Sequence, residues 1–171
     1  EDRKKFQYLD ESSQNHYGEL VAFDRSLGLL RKRLRELDLA ENTIIWYCSD
    51  NGGLSKITPN TVGGLRGSKG TVYEGGLRVP GIIEWPAVIQ PKVSRYPAST
   101  MDIFPTIVDV LGLSKDNLLN PIDGISLKPI FNNSIHKRNK KIPFRYKDQG
   151  VLLDNHYKLI ATSVKRNEFV L

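Results

Sequence analysis

Apolar residues recur at three- and four-residue steps from Tyr17 through Leu20, Val21, Leu27, Leu30 and Leu34 to Leu37. That spacing predicts one amphipathic helix with its stripe turned to a core. Arg25, Arg31, Lys32, Arg35 and Glu36 fall mainly off the stripe, and the pattern fades near Leu39. The run Thr43-Ile44-Ile45-Trp46-Tyr47-Cys48 is β-branched, aromatic and apolar on both faces, as a central parallel strand should be. Helix, short turn and buried strand make half of a βαβ unit. From Ser49 to Gly76 the chain is rich in Gly, Ser, Thr and Lys and has no apolar period. It reads as one long loop, and long loops inside compact domains are often functional. A second apolar strand is expected over residues 79–85, where Pro80 near its start is tolerated.

A short helix should follow, with Asp102 as its cap, Pro105 in its first turn and Gly112 past its end. Residues 113–143 read as irregular, with a helical turn around 127–131. The chain then changes character. Residues 144–146, 150–153 and 157–162 look like short strands, joined by turns at Asp148-Gln149-Gly150 and Asp154-Asn155-His156. An antiparallel appendage to an α/β part is expected, with the boundary near Lys141: residues 1–141 against 142–171.

Composition changes little. The 171 residues are 39% hydrophobic and 26% charged, ordinary for a globular chain. No apolar run reaches the roughly 18 residues of a membrane span. The charged start Glu1-Asp2-Arg3-Lys4-Lys5 shows no signal peptide. The formal net charge of +6 suits an anionic substrate, but the densest basic stretch, His136 to Lys141, lacks the aromatic interleaving of a nucleic-acid surface and reads as a solvated loop. The single cysteine, Cys48, has no disulfide or zinc partner, and its apolar setting predicts a buried structural thiol.

Candidate chemistry begins where the first strand ends. Asp50 and Asn51 are adjacent hard oxygen donors, the type taken by calcium or magnesium. They stand at the edge where open α/β sheets bind ligands, although an Asp-Asn-Gly turn needs no ligand. Gly52 and Gly53 are expected to let the backbone turn sharply and to clear space above the site.

The stretch from Leu65 to Pro80 reads LRGSKGTVYEGGLRVP. It resembles the signature Gly-x-Lys-Gly-x-x-x-Glu-Gly-Gly-x-Arg-x-Pro of type I, formylglycine-dependent sulfatases of the alkaline phosphatase superfamily, with every fixed position present. Ser49-Asp50-Asn51-Gly52 upstream, the helix with Tyr17-Gly18 and Asp24, Asp102-Ile103-Phe104-Pro105-Thr106 and Asp123-Gly124-Ile125-Ser126-Leu127 also resemble that family's pattern, in order. The likeness runs from about His16 to Lys158 and covers the family's C-terminal portion.

The resemblance implies a mixed, mostly parallel sheet flanked by helices, followed by the start of a small antiparallel subdomain. It implies that Asp50 and Asn51 are two ligands of a calcium ion. It also implies that Lys69 contacts the sulfate group, both binding substrate and acting in catalysis. A lysine between small residues suits that role, because its ammonium is a compact point charge. Glu74 and Arg78 are read as a structural pair pinning the loop, and Gly75 and Gly76 as turn formers. Arg66 is either loop support or a substrate contact. His16 is expected to precede the helix and is given no role; His136 and His156 read as surface residues.

The family's nucleophile, a formylglycine made within Cys/Ser-x-Pro-x-Arg, has no matching segment here, since Cys48 is followed by Ser49-Asp50-Asn51. The expectation is therefore an inactive piece of a sulfatase with a partial calcium site, prone to self-association at an exposed sheet edge. Its substrate would be a sulfated small molecule or sulfated glycan. Its compartment, by family analogy, would be periplasmic, secreted or lysosomal. Two alternatives remain open: a phosphate or phosphonate ester hydrolase of the same superfamily, and a non-catalytic module binding sulfated glycans.

Overall fold

The computed structural model describes residues 1–114, 120–132 and 134–170, so 115–119 and 133 within the stretch expected to be irregular lie outside the described residues. The chain divides into two compact units, Glu1–Ala87 and Val88–Leu171.

In the first unit a 3₁₀ turn, Asp2–Phe6, leads into α1, Glu11–Glu36. The helix starts earlier than the apolar period indicates, and His16 lies inside it rather than before it. The cause is a cap: the Asp10 carboxylate accepts the Ser13 N–H at 3.0 Å, which lets a polar first turn form. A hydrogen bond from the Ser13 hydroxyl, and then that from its N–H, hold the Asp10 carboxyl below the usual carboxylate range. The helix ends in a Schellman motif. Asp38 sits at φ 56°, Asp38 N–H donates to Arg35 O at 3.1 Å, and Leu39 N–H donates to Leu34 O at 2.8 Å.

Strand β1, Ile45–Cys48, pairs antiparallel with β2, Gly81–Glu84, in the register Ile45↔Glu84 to Cys48↔Gly81. The parallel partner expected of β1 is not what the described residues show. A continuous apolar run reports that both faces want burial; it does not encode the direction of the neighbouring strand. All four β1 residues are half-buried, Cys48 among them, so the expectation of a fully buried thiol is corrected. The rings of Phe23 and Tyr47 lie 5.3 Å apart, packing α1 on β1. Arg31 donates bidentately to Glu84 at 2.7 and 2.9 Å and ties α1 to β2. Only Ser13 and Gly18 of α1 are buried, while Leu20, Phe23, Leu29 and Leu30 of its apolar face are exposed.

The second unit opens with a 3₁₀ turn, Thr100–Asp102, running into α3, Ile103–Val110 (α2, Glu74–Leu77, belongs to the loop of the first unit). Gly112 at φ 63° ends α3 as expected. Asp102 occupies the capping position of α3 without capping it. Its fully buried carboxylate instead accepts the Ser99 and Ile125 N–H groups, each at 2.8 Å, and both terminal nitrogens of Arg138 at 2.7 and 2.9 Å. Arg138 is 2% exposed, so the centre of the basic stretch is not a solvated loop. A buried carboxylate needs a cation and several donors, and Arg138 supplies the cation.

The two segments read as family motifs around Asp102 and Gly124 are thus bonded together. Leu127 N–H also donates to Thr106 Oγ1 at 2.8 Å. A Cβ on Gly124 would lie 1.9 Å from Met101 O, so only glycine permits this approach. A short helix, α4, spans Lys128–Phe131. The chain ends in an antiparallel meander of β3 (Ile142–Tyr146), β4 (Gln149–Asp154), β5 (Tyr157–Ser163) and β6 (Glu168–Val170). Its first two turns place Lys147 and Asn155 at φ 54° and 52°. The first turn is therefore Lys147-Asp148, one residue earlier than read, and β6 is a further strand.

Candidate active site

The site residues all lie in the first unit, on the segment between β1 and β2. The segment is anchored from outside. Thr58 N–H donates to Ser13 Oγ at 2.8 Å, and the Tyr17 hydroxyl donates to Pro59 O at 2.6 Å. Beneath it Val72 is 0% exposed and Ile57 is buried, so the loop covers a small core of its own.

Lys69 stands at the tip of a type II turn. Thr71 N–H donates to Ser68 O at 3.1 Å, and Gly70, at the third position, has φ 87°. The glycine after the lysine is required by that backbone, not merely by a need for space. The Thr71 hydroxyl donates to the same Ser68 carbonyl at 2.8 Å and braces the turn. Lys69 itself is exposed.

This turn meets the Asp50–Gly53 segment through the main chain. Lys69 N–H donates to Gly53 O at 2.9 Å, and Gly52 N–H donates to Gly76 O at 3.0 Å. The glycines make that approach possible. A Cβ on Gly52 would lie 2.0 Å from Gly75 O, one on Gly75 would lie 2.1 Å from Gly67 O, and one on Gly76 would lie 2.2 Å from Thr71 O. None of Gly52, Gly75 and Gly76 has a positive φ. What their missing Cβ atoms provide is contact between three stretches of backbone.

Asp50 is exposed and Asn51 half-buried. Ser49 Oγ donates to the Asn51 main-chain carbonyl at 2.9 Å, fixing the corner after β1. Two hard oxygen side chains on a fixed corner fit a calcium or magnesium ion as two of its six to eight ligands. Among the described residues no group of three or more His, Cys, Asp or Glu side chains could hold a metal.

Glu74 and Arg78 span α2, and Arg78 N–H donates to Glu74 O at 2.8 Å. The link described between them runs through the main chain of this single helical turn. Two features escaped the sequence reading. The Arg66 guanidinium lies over the Tyr73 ring, 4.0 Å from its centroid, and Gly67 has φ 79°. Only Gly67's type hinted at its conformation; nothing in spacing pairs Arg66 with Tyr73.

The Lys69 turn and the Asp50-Asn51 corner are thus joined through the main chain. The family model described as Sulfatase matches residues 1–113, and the chain belongs to the sulfatase family. It is 35% identical to human steryl-sulfatase over 151 residues, covering 81% of this chain and 25% of that protein. It is 37% identical to N-acetylgalactosamine-6-sulfatase of Canis lupus familiaris over 128 residues, covering 71% of this chain and 24% of that protein. A crystal structure of Ps i-CgsB in complex with k-i-k-neocarrahexaose superposes with a TM-score of 0.82 at 25% identity, covering 98% of this chain and 38% of that one. The chain thus spans about a quarter of the length of the curated relatives it matches. Among the described residues no helix is long and apolar enough to cross a membrane.

Proposed function

We propose that this chain supplies part of the active site of an enzyme that hydrolyses organic sulfate esters. The observation that carries the reading is the hydrogen bond from Lys69 N–H to Gly53 O. It sets the turn of the sulfate-contacting lysine against the Asp50-Asn51 corner. Asp50 and Asn51 would hold a calcium ion, which when bound neutralises charge on the sulfate. Lys69 would donate to a sulfate oxygen and stabilise the charge that builds as the ester S–O bond breaks. Its small neighbours, Ser68 and Gly70, leave the approach open. Gly52, Gly75 and Gly76 keep the corner and the turn in contact, and α2, with Glu74 and Arg78 at its ends, closes the loop onto β2.

The nucleophile of the family, a formylglycine hydrate, has no matching segment in these residues and is assigned to the rest of the enzyme. So are the remaining calcium ligands and the parallel strands of the alkaline-phosphatase-like sheet. On this reading residues 1–141 belong to the catalytic domain and 142–171 begin the small antiparallel subdomain. The substrate is a sulfated small molecule or sulfated glycan, and the compartment is periplasmic, secreted or lysosomal, which fractionation of the source cells would test. The chemistry is tested by offering the full-length enzyme an aryl sulfate and the matching aryl phosphate, with and without calcium. The expected result is calcium-dependent preference for the sulfate. Preference for the phosphate would overturn it.

A further inference from the structure

The turn that carries Lys69 is closed by more than its own hydrogen bonds. Arg66 precedes it and Tyr73 follows it. The Arg66 guanidinium lies 4.0 Å from the Tyr73 ring centroid. The Arg66 carbonyl accepts the Gly75 N–H at 2.8 Å. Arg66 is therefore joined to the far side of the loop by its side chain and by its main chain, with Lys69 between the two joints. Arg66 is exposed, Tyr73 is half-buried, and Gly67 next to Arg66 adopts φ 79°, which turns the chain back over Tyr73. A Cβ on Gly67 would lie 2.9 Å from the Tyr73 Cβ, so the crossing is tight.

We propose that Arg66 and Tyr73 form a clasp that positions the Lys69 turn, which makes Arg66 a positioning residue and not a substrate contact. The proposal rests on the reading of Lys69 as the sulfate-binding residue only for its catalytic consequence; the clasp itself is a property of this chain. Stacking of a guanidinium on an aromatic face is favourable because the cation meets the negative face of the ring. The clasp closes the same loop that the Gly75 N–H to Arg66 O bond closes, so loss of either partner loosens the same segment. The phenol oxygen of Tyr73 takes no part, and a phenylalanine would serve.

The test measures amide hydrogen exchange in the full-length protein for Arg66→Gln, Arg66→Lys, Tyr73→Leu, Tyr73→Phe and the double variant Arg66→Gln/Tyr73→Leu. Exchange at the Lys69 and Gly75 N–H groups is expected to rise about two- to five-fold in Arg66→Gln and Tyr73→Leu, the range of an exposed cation–π contact. The double variant should be no worse than either single one, Tyr73→Phe should match the wild type, and Arg66→Lys should recover part of the protection. Amides in α1 should not change, which separates a local clasp from general destabilisation. In the full-length enzyme, Arg66→Gln and Tyr73→Leu should lower kcat/KM for a sulfate ester to a similar degree. Unchanged exchange at Lys69 and Gly75 in both variants would overturn the clasp. So would a rise in KM with Arg66→Gln that Tyr73→Leu does not share, because that marks a direct anion contact. If exchange rises as expected while the wild-type enzyme turns over no sulfate ester, the clasp stands and the sulfatase reading of Lys69 fails alone.

Discussion

Replacing Arg138 with Met removes the cation from a carboxylate that is fully buried. Asp102 and Arg138 share two hydrogen bonds of 2.7 and 2.9 Å, with side chains 0% and 1% exposed. Breaking such a pair from one side costs about 3–5 kcal/mol, because the remaining charge stays buried. Two features pull in opposite directions. The Ser99 and Ile125 N–H groups still donate to Asp102, which relieves part of the cost. The Lys140 and Pro97 carbonyls lose the Arg138 donors they accept at 2.5 and 3.3 Å, which adds to it. The middle of the range, about 4 kcal/mol, is therefore expected. With a urea slope of about 1.5 kcal/mol per molar, the midpoint should fall by between about 2 and 3 M. The assay is urea unfolding of Arg138→Met beside Lys137→Met. Lys137 is the exposed neighbour in the same basic stretch, and its substitution should move stability by no more than about 0.5 kcal/mol. If the two variants unfold alike, the stretch is a solvated loop after all and the reasoning is refuted.

Gly52→Ala should destabilise the first unit by about 3 kcal/mol, the upper end for overpacking, since the new Cβ would lie 2.0 Å from the main-chain oxygen of Gly75; a neutral effect in thermal unfolding would count against the sewn-loop geometry. The Tyr96 hydroxyl is buried with no hydrogen-bond partner among the described residues, and burial pushes its pKa up. Tyr96→Phe should therefore be neutral or stabilising by up to about 1 kcal/mol. The unfolded chain ionises this phenol first, so the wild type should lose stability above about pH 10 and the variant should not share that loss, as alkaline unfolding would show. The 171-residue chain alone, with Leu20, Phe23, Leu29 and Leu30 of α1 exposed, should sediment with a concentration-dependent size; a single monomer at all concentrations would exclude self-association.

What was legible in the sequence was local. The apolar period gave the body of α1, Gly112 its place at the end of α3, and the alternating strands the antiparallel meander. Lys69 stood out through the resemblance of its stretch to the sulfatase signature, while the type II turn that presents it was seen only in the structure. Three things were not legible. The antiparallel pairing of β1 with β2 was not read because burial on both faces does not specify a neighbour's direction. Arg138 looked solvated because its partner Asp102 lies 36 residues away, and no local period joins them. Gly52, Gly75 and Gly76 were assigned to turns because glycine's two uses, positive φ and close approach, look identical in a sequence. Only coordinates separate Gly70, which needs its φ, from Gly76, which needs its missing Cβ.

The central claim is that Lys69 and the Asp50-Asn51 corner form one anion and metal site. Its most direct test is steady-state hydrolysis of an aryl sulfate by the full-length enzyme and its Lys69→Ala variant, in calcium and in chelator. Removing a preorganised charge donor at a breaking bond costs about 10²–10³ in kcat. The account predicts a loss of that size with the calcium requirement kept. Turnover that survives Lys69→Ala unchanged would contradict it.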